Sequence, residues 1–326
     1  MSQDLHRSAI LIDGLVVSRW GRDVFESMHR GGLTAANCTV CVWGGFRETM
    51  LEIARFKKWF DEYSDILMPV HSAADIRRAK ELGKVGIILG FQNGHAIEDR
   101  LDFLALYKAL GVGVIQLTYN TQNFIGAGCW EENDSGLTGF GREAVDEMNR
   151  LGILVDLSHV GARTADDAIR HSKKPCTYSH VCPTGLLQHP RNKTDEQLRT
   201  IVGRGGFVGV ATFPPFMKSG ANTTLDDCVD LFEYMINVCG ESNIGIGTDF
   251  TQGYGEEFFD WLRHDKGYAR RMVPQRGSAP PVKGMETMDG YPALTAAFER
   301  RGWKEARIRA VLGENWLRFL GEAWGG

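Results

Sequence analysis

No stretch of this sequence approaches the roughly 18 consecutive apolar residues that a membrane-spanning helix needs. The start, MSQDLHRSAI, has no basic segment followed by an apolar one, so neither a secretory leader nor a membrane partner is expected. An excess of one charge is missing as well. Thirty-seven Lys and Arg stand against 41 Asp and Glu, intermixed, for a net charge of −4, which offers little to a nucleic acid or an anionic surface. No glycine-rich phosphate-binding fingerprint follows a strand-like run, so nucleotide binding has no support. A disulfide framework is missing too. The seven cysteines are odd in number and scattered, a pattern of reduced thiols in a cytoplasmic protein. The four Asn-x-Ser/Thr matches, at Asn37, Asn133, Asn192 and Asn222, are read as chance in that setting. No linker or internal repeat divides the 326 residues, a length that suits a single (β/α)8 barrel domain, which needs roughly 250.

Short runs rich in Val, Ile, Leu and Gly alternate with longer amphipathic stretches. The runs at 9–14, 34–42, 85–91, 112–118, 153–158, 175–179, 207–212 and 244–249 are nearly continuous in apolar residues, as parallel strands buried on both faces should be. Helical patterns fall between them at 46–63, 73–82, 98–110, 140–151, 164–171, 194–204 and 225–240. Eight strands alternating with helices predict a TIM barrel, an α/β fold. Thr194 with Gln197 reads as a capping box, Thr224 as the cap of a helix with Asp226 and Asp227 in its first turn, and Gly83, Gly111, Gly152 and Gly240 as helix stops. After the last strand comes a long irregular insertion, about 251–290, carrying Phe258, Phe259, Trp261, His264, Arg270 and Arg271. At the C-terminal rim of a barrel such a connection predicts a lid or pocket wall. The tail at 302–323 is helical, rich in aromatics, and expected to pack across the barrel or at a subunit contact.

Catalytic groups of a barrel stand at the C-terminal ends of its strands. Those positions here hold Leu15-Val-Val17, Gln92, Tyr119, Asn120, His159, His180, Arg191, Asn192 and Asp249. His159 and His180 leave consecutive strands, each in a Ser-His step, and can converge on one metal or one substrate. Zinc takes three protein ligands and one open position in catalytic sites, and His159, His180 and Asp249 could supply such a set. Asp249 could instead be a general base. A single histidine of this kind is more often a hydrogen-bonded barrel residue, but two at consecutive strand ends favour function. Cys38 and Cys41 have CxxC spacing yet lie within a strand, where residues three apart face opposite sides, so they read as buried structural thiols. Cys129 has no adjacent base to make it a nucleophile. Arg270 and Arg271 could bind a carboxylate or phosphate, or simply form a solvated basic face.

The segment from Gly139 to His159, Tyr178-Ser-His180, Pro190-Arg-Asn192 with Asp195-Glu196, Gly245-Ile-Gly-Thr-Asp249 and Gly313-Glu-Asn-Trp-Leu-Arg318 together resemble the renal (membrane) dipeptidase family, peptidase family M19. The resemblance runs from Asp13-Gly14 to the C-terminal helix. It implies a barrel, a homodimer, and hydrolysis of dipeptides at a two-zinc site. In that family a His-x-Asp on the first strand holds one zinc and a Glu on the third strand bridges both. Two histidines on the fifth and sixth strands complete the second. By position His159 and His180 match those histidines, and Asp249 matches the acidic residue that handles protons and the substrate amine. Arg191 matches the arginine that holds the substrate, and Tyr119 falls where the family has a substrate-contacting histidine.

The departures lie at the metal. Leu15-Val-Val17 replaces the His-x-Asp and neutral Gln92 replaces the bridging Glu, so a two-zinc centre is not expected. One divalent ion, zinc first, could remain on His159 and His180, with Gln92 oxygen or Asp249 as a weak third ligand. The expected function is hydrolysis of a dipeptide or other small amide with at most one metal. Asp249, His180 and His159 would be catalytic, and Arg191, Tyr119, Gln92 and Asn192 would contact substrate. Two alternatives keep the pocket: a metal-independent lyase, isomerase or tautomerase acting on a small carboxylate through the two histidines, and a non-catalytic small-molecule binder.

Overall fold

The computed structural model describes residues 2–274 and 276–325. Among them nine parallel strands form one sheet: β1 (Ile12–Val16), β2 (Ala35–Cys41), β3 (Leu67–Pro69), β4 (Val85–Phe91), β5 (Val112–Gln116), β6 (Leu154–Asp156), β7 (Thr177–Val181), β8 (Phe207–Val210) and β9 (Ile244–Ile246). β1 pairs with both β2 and β9, and β2 pairs with β4 from Ala35↔Gly86 to Cys41↔Phe91, so eight strands close into the expected barrel. β3 stands outside that ring, pairing Leu67↔Val85 with the first half of β4. The eight barrel strands are buried along their length, which is why their sequences lack polar alternation.

Helices α1 (Ser2–Ser8), α2 (Arg22–Arg30), α3 (Phe46–Glu62), α4 (Ala73–Leu82), α5 (Asp102–Ala109), α6 (Gly139–Leu151), α7 (Ala162–His171), α8 (Asp195–Gly203) and α9 (Leu225–Cys239) lie in or before the connections. Their ends follow the caps legible in the chain. Thr194 and Gln197 form a capping box, as do Thr224 and Asp227, and Gly83 and Gly152 end their helices in the left-handed conformation. No helix among the described residues is long and apolar enough to cross a membrane.

Three short elements escape the sequence pattern. β3 is three residues long, too short to show a period. α1 spans seven residues, and α2 has nine with no side-chain cap at Gly21. Two strand ends also shift. β7 begins at Thr177 and runs to Val181, so His180 lies inside the strand rather than past its end. β6 stops at Asp156, leaving His159 three residues beyond it.

The chain closes with α10 (Glu256–Leu262) inside the insertion, then α11 (Tyr291–Arg300), α12 (Glu305–Arg309) and α13 (Asn315–Trp324). α13 packs across the barrel floor. Trp316 enters it, donating from Nε1 to Ile246 O at 2.8 Å and packing on Phe207 with ring centres 4.3 Å apart. Gly14 and Gly245 make room: a Cβ on either would sit 2.5 Å from a Trp316 ring carbon. The floor is thus filled by stabilising packing, and the opposite rim is left for chemistry.

Candidate active site

Two buried aspartates set the rim geometry, and neither is a rim residue itself. Asp156, the last residue of β6, accepts Ser158 Oγ at 2.7 Å, Ser179 Oγ at 2.5 Å, and the backbone N–H of both serines at 3.0 Å. β6 and β7 are joined in the ladder at Asp156↔Thr177, so this carboxylate carries much of their connection. Asp13 does the same between β1 and β9. It accepts Thr248 Oγ1 at 2.6 Å, the N–H of Thr248 and of Leu15 at 3.0 Å, and the Tyr291 hydroxyl. That network fixes the turn carrying Asp249, whose φ of 61° is a left-handed conformation unusual for a residue with a side chain. Burial raises the pKa of Asp13 and of Asp156, and the surrounding donors oppose the rise.

The Asp156 relay orients the histidines. The Ser179 hydroxyl proton is directed at Asp156, so Ser179 Oγ accepts from His180 Nδ1 at 2.8 Å. Asn120 Oδ1 accepts from His159 Nδ1 at 2.8 Å. Assigned this way from the hydrogen-bond network, both imidazoles carry their proton on Nδ1. Their Nε2 lone pairs face each other at 3.0 Å. Burial, reinforced by the Arg191 guanidinium, holds both rings well below the usual histidine pKa, so both are neutral, the form in which imidazole binds metals. Tyr119 stacks on His159 with ring centres 4.1 Å apart, and Trp43 meets Tyr119 edge-on at 5.0 Å.

A cavity opens above this pair. Val17, Gln92, Tyr119, Asn120, His159, Arg191 and Asp249 line it, together with Trp130, His189, Phe213, Phe216 and, from the insertion, Phe259, Leu262, Arg263 and Val273. His180 is fully buried behind His159. Asp249 is pushed up to about 6 by burial, partly opposed by Arg191, which leaves a carboxylate able to take and give a proton near neutrality. Arg191 donates from Nη1 to Ser158 O at 2.6 Å and from Nη2 to His180 O at 2.9 Å. It clamps the two Ser-His steps, and its buried Nε has no partner among the described residues. Gln92 donates from Nε2 to Thr39 Oγ1 at 3.0 Å, and its side-chain oxygen has no hydrogen-bond partner among the described residues.

The expected contact residues therefore converge, with one exception. Asn192 is not among the residues lining the cavity. Its Nδ2 bonds Leu187 O at 2.9 Å and Phe216 O at 3.0 Å, so it fastens the loop that carries Arg191. The other candidates settle as follows. Cys38 and Cys41 are buried in β2, with the Cys41 thiol pushed up to about 11 by burial. Cys129 donates to Asn120 Oδ1 at 3.4 Å, and burial raises its pKa too, the reverse of an activated thiol. Arg270 pairs with Glu131 at 3.1 Å and Arg271 with Asp260 at 2.8 Å on the surface of the insertion.

The donor set at the rim is sparse for the metal centre that the family resemblance implies. Among the described residues no group of three or more His, Cys, Asp or Glu converges, and Val17 lines the cavity with an apolar side chain. A two-metal centre does not fit these residues. The residues that would hold a single ion are His159 and His180, whose neutral, anchored imidazoles bring their Nε2 atoms to 3.0 Å, a gap that two zinc–nitrogen bonds of about 2.0–2.1 Å could span.

A closed parallel barrel with neutral histidines at its C-terminal rim defines an amidohydrolase-like hydrolase fold. Residues 23–270 and 275–324 match the membrane dipeptidase family, peptidase family M19, and the chain belongs to that family. It is 32% identical over 280 residues to a Schizosaccharomyces pombe protein described as an uncharacterized dipeptidase; the match covers 83% of this chain and 61% of that one. The chain thus spans about three-fifths of that relative's length. An amidohydrolase from Pseudomonas aeruginosa of known crystal structure is 52% identical, with a TM-score of 0.97 over 100% of this chain and 99% of its own. A Rhodobacter sphaeroides metallopeptidase, crystallised with a phosphinate mimic of the dipeptide L-Ala-D-Ala, shares the fold at 23% identity and a TM-score of 0.80, over 97% of this chain and 100% of its own.

Proposed function

We propose that this protein hydrolyses a dipeptide or a closely related small amide, with a single divalent ion, zinc first, held by His159 and His180. One observation carries the reading: two neutral imidazoles, each anchored through Nδ1, direct their Nε2 lone pairs at each other across 3.0 Å. Without a cation or a proton between them that arrangement is repulsive. When bound, the ion supplies Lewis acidity toward the scissile carbonyl oxygen. Everything else falls to the chain. The Asp249 carboxylate takes the proton of the attacking water and returns it to the departing nitrogen, a role suited to a pKa of about 6. Arg191 keeps both Ser-His steps in place, Tyr119 packs against His159 to fix its ring, and the free Gln92 oxygen accepts from the substrate. The aromatic insertion closes the cavity against water.

The metal-free alternative has one observation in its favour: the charged lining, two arginines and one aspartate, holds only one anion to balance a bound cation. In that reading a proton replaces the ion between the imidazoles and the pair works as acid and base on a small carboxylate. It ranks second because rings held so far below the usual pKa are weak bases. The test is turnover of a panel of dipeptides and N-acyl amino acids, followed by amine release. His180→Ala should lower kcat/KM by at least ~100-fold on any hydrolysed member, the scale of losing a main catalytic group. Unchanged hydrolysis in that variant would overturn the assignment.

A further inference from the structure

Arg263 follows α10 directly and is the one arginine that the insertion contributes to the cavity lining. It is 8% exposed, and burial lowers its pKa while the nearby Asp260 and Glu256 carboxylates oppose the fall. Nη1 donates to Gly277 O, and the guanidinium lies 5.8 Å from the Phe259 ring centre. Its remaining donors have no hydrogen-bond partner, and it forms no ion pair, among the described residues. The contrast with its neighbours is sharp, since Arg270 and Arg271 are both paired with carboxylates on the outside. Arg263 instead faces a chamber in which Asp249 is the sole carboxylate and Arg191 a second guanidinium. Tyr119 sits close enough to feel Asp249, Arg191 and Arg263 together, which places the three charges around one small volume. The rest of the wall is apolar or aromatic: Val17, Trp130, Phe213, Phe216, Phe259 and Leu262.

Guanidinium donors that face the cavity without a protein partner among the described residues suit an anionic group with two oxygens, which the planar fork matches. Because Arg191 spends both Nη groups on backbone carbonyls, it is poorly placed to be that receptor. We infer that Arg263 is the specificity-determining residue of the cavity and receives the carboxylate of a small substrate with an apolar or aromatic body. This rests on the proposed reading of the same cavity as the substrate site, and it assigns the carboxylate of that substrate a receptor on the insertion. The insertion is then part of the recognition machinery as well as a wall. Since the insertion carries both Phe259 and Arg263, it supplies a surface for the body and a charge for the end of the same molecule.

The test uses binding, which needs no turnover. Affinities of the intact protein for 3-phenylpropionate and for 3-phenylpropanamide, isosteric apart from charge, are measured by calorimetry. The acid should bind at least ~10-fold more tightly, the scale of one charge-assisted hydrogen-bonded pair. Arg263→Gln should abolish that preference. Arg263→Lys, which keeps the charge and loses the fork, should weaken the acid alone by ~3-fold or more; it serves as the test if the Gln variant does not fold. Equal affinities in the wild type, no binding of either probe, a preference that survives Arg263→Gln, or an undiminished preference in Arg263→Lys would overturn the inference. A clear acid preference in a protein that hydrolyses no amide would leave Arg263 assigned and sink the hydrolase reading instead. Hydrolysis without any preference would do the reverse.

Discussion

At the scale of single residues, Asp249 carries the sharpest expectations because its charge is costly where it sits. Its ionisation near pH 6 predicts that kcat/KM climbs as pH rises through about 6, since the carboxylate must be free to accept a proton. Asp249→Asn should remove that limb and lower kcat by roughly 100-fold or more. The same substitution should stabilise the fold, and the sign follows from linkage. The folded pKa lies above the unfolded value, so the ionised group destabilises the native state at high pH and costs nothing once both states are protonated. Thermal or urea unfolding at pH 8 should show a gain on the order of 2–3 kcal/mol for the Asn variant, shrinking by about half at pH 5. A gain that is constant between pH 5 and 8 would mean that Asp249 ionises alike in the folded and unfolded states, with no shift of its pKa. Much of this site was legible in the chain, because His159, His180 and Asp249 end strand-like runs at one rim. Arg263 was not, because nothing in an irregular insertion says which arginine turns inward. Asp156 was not either: inside Leu-Val-Asp-Leu it reads as one polar residue in an apolar strand, and its role exists only once β6 and β7 lie side by side.

At the scale of elements, the join between β6 and β7 is where fold and site meet. With backbone pairing there at Asp156↔Thr177, the carboxylate with its four donors substitutes for a longer ladder. It also sets the proton on His180 Nδ1 through Ser179. Asp156→Ala should destabilise the protein by about 3–5 kcal/mol, because it strands buried hydroxyl and amide donors. It should also abolish turnover at temperatures where the variant is still folded. Asp156→Asn, which keeps one acceptor, should recover part of the stability and little of the activity; full activity in the Asn variant would contradict the relay. The strands were predictable because continuous apolar runs can only be buried on both faces. The offset of β7 was not, since Pro175 and Cys176 extend the apolar run below the point where pairing begins. β3 is too short for periodicity to register, and α2, although amphipathic, has no side-chain cap at Gly21 to mark its start.

At the scale of the whole molecule, the barrel separates its tasks. The floor is filled by Trp316 and Phe319 from the last helix, and the rim gathers the neutral histidines, the raised aspartate and Arg191 beneath the insertion, which adds Arg263. The family membership accounts for the fold and the two histidines, while Leu15, Val17 and Gln92 stand where the resemblance predicts ligands for a second metal. The central claim is therefore a stoichiometry: one metal per chain, held by His159 and His180 together. It is tested by elemental analysis of protein purified without chelator or added metal, alongside His159→Ala and His180→Ala, with activity followed in chelator. The account predicts about one equivalent of zinc or another divalent ion in the wild type, close to none in either variant, and loss of turnover as chelator removes it. Two equivalents, or none with turnover undiminished in chelator, would contradict it.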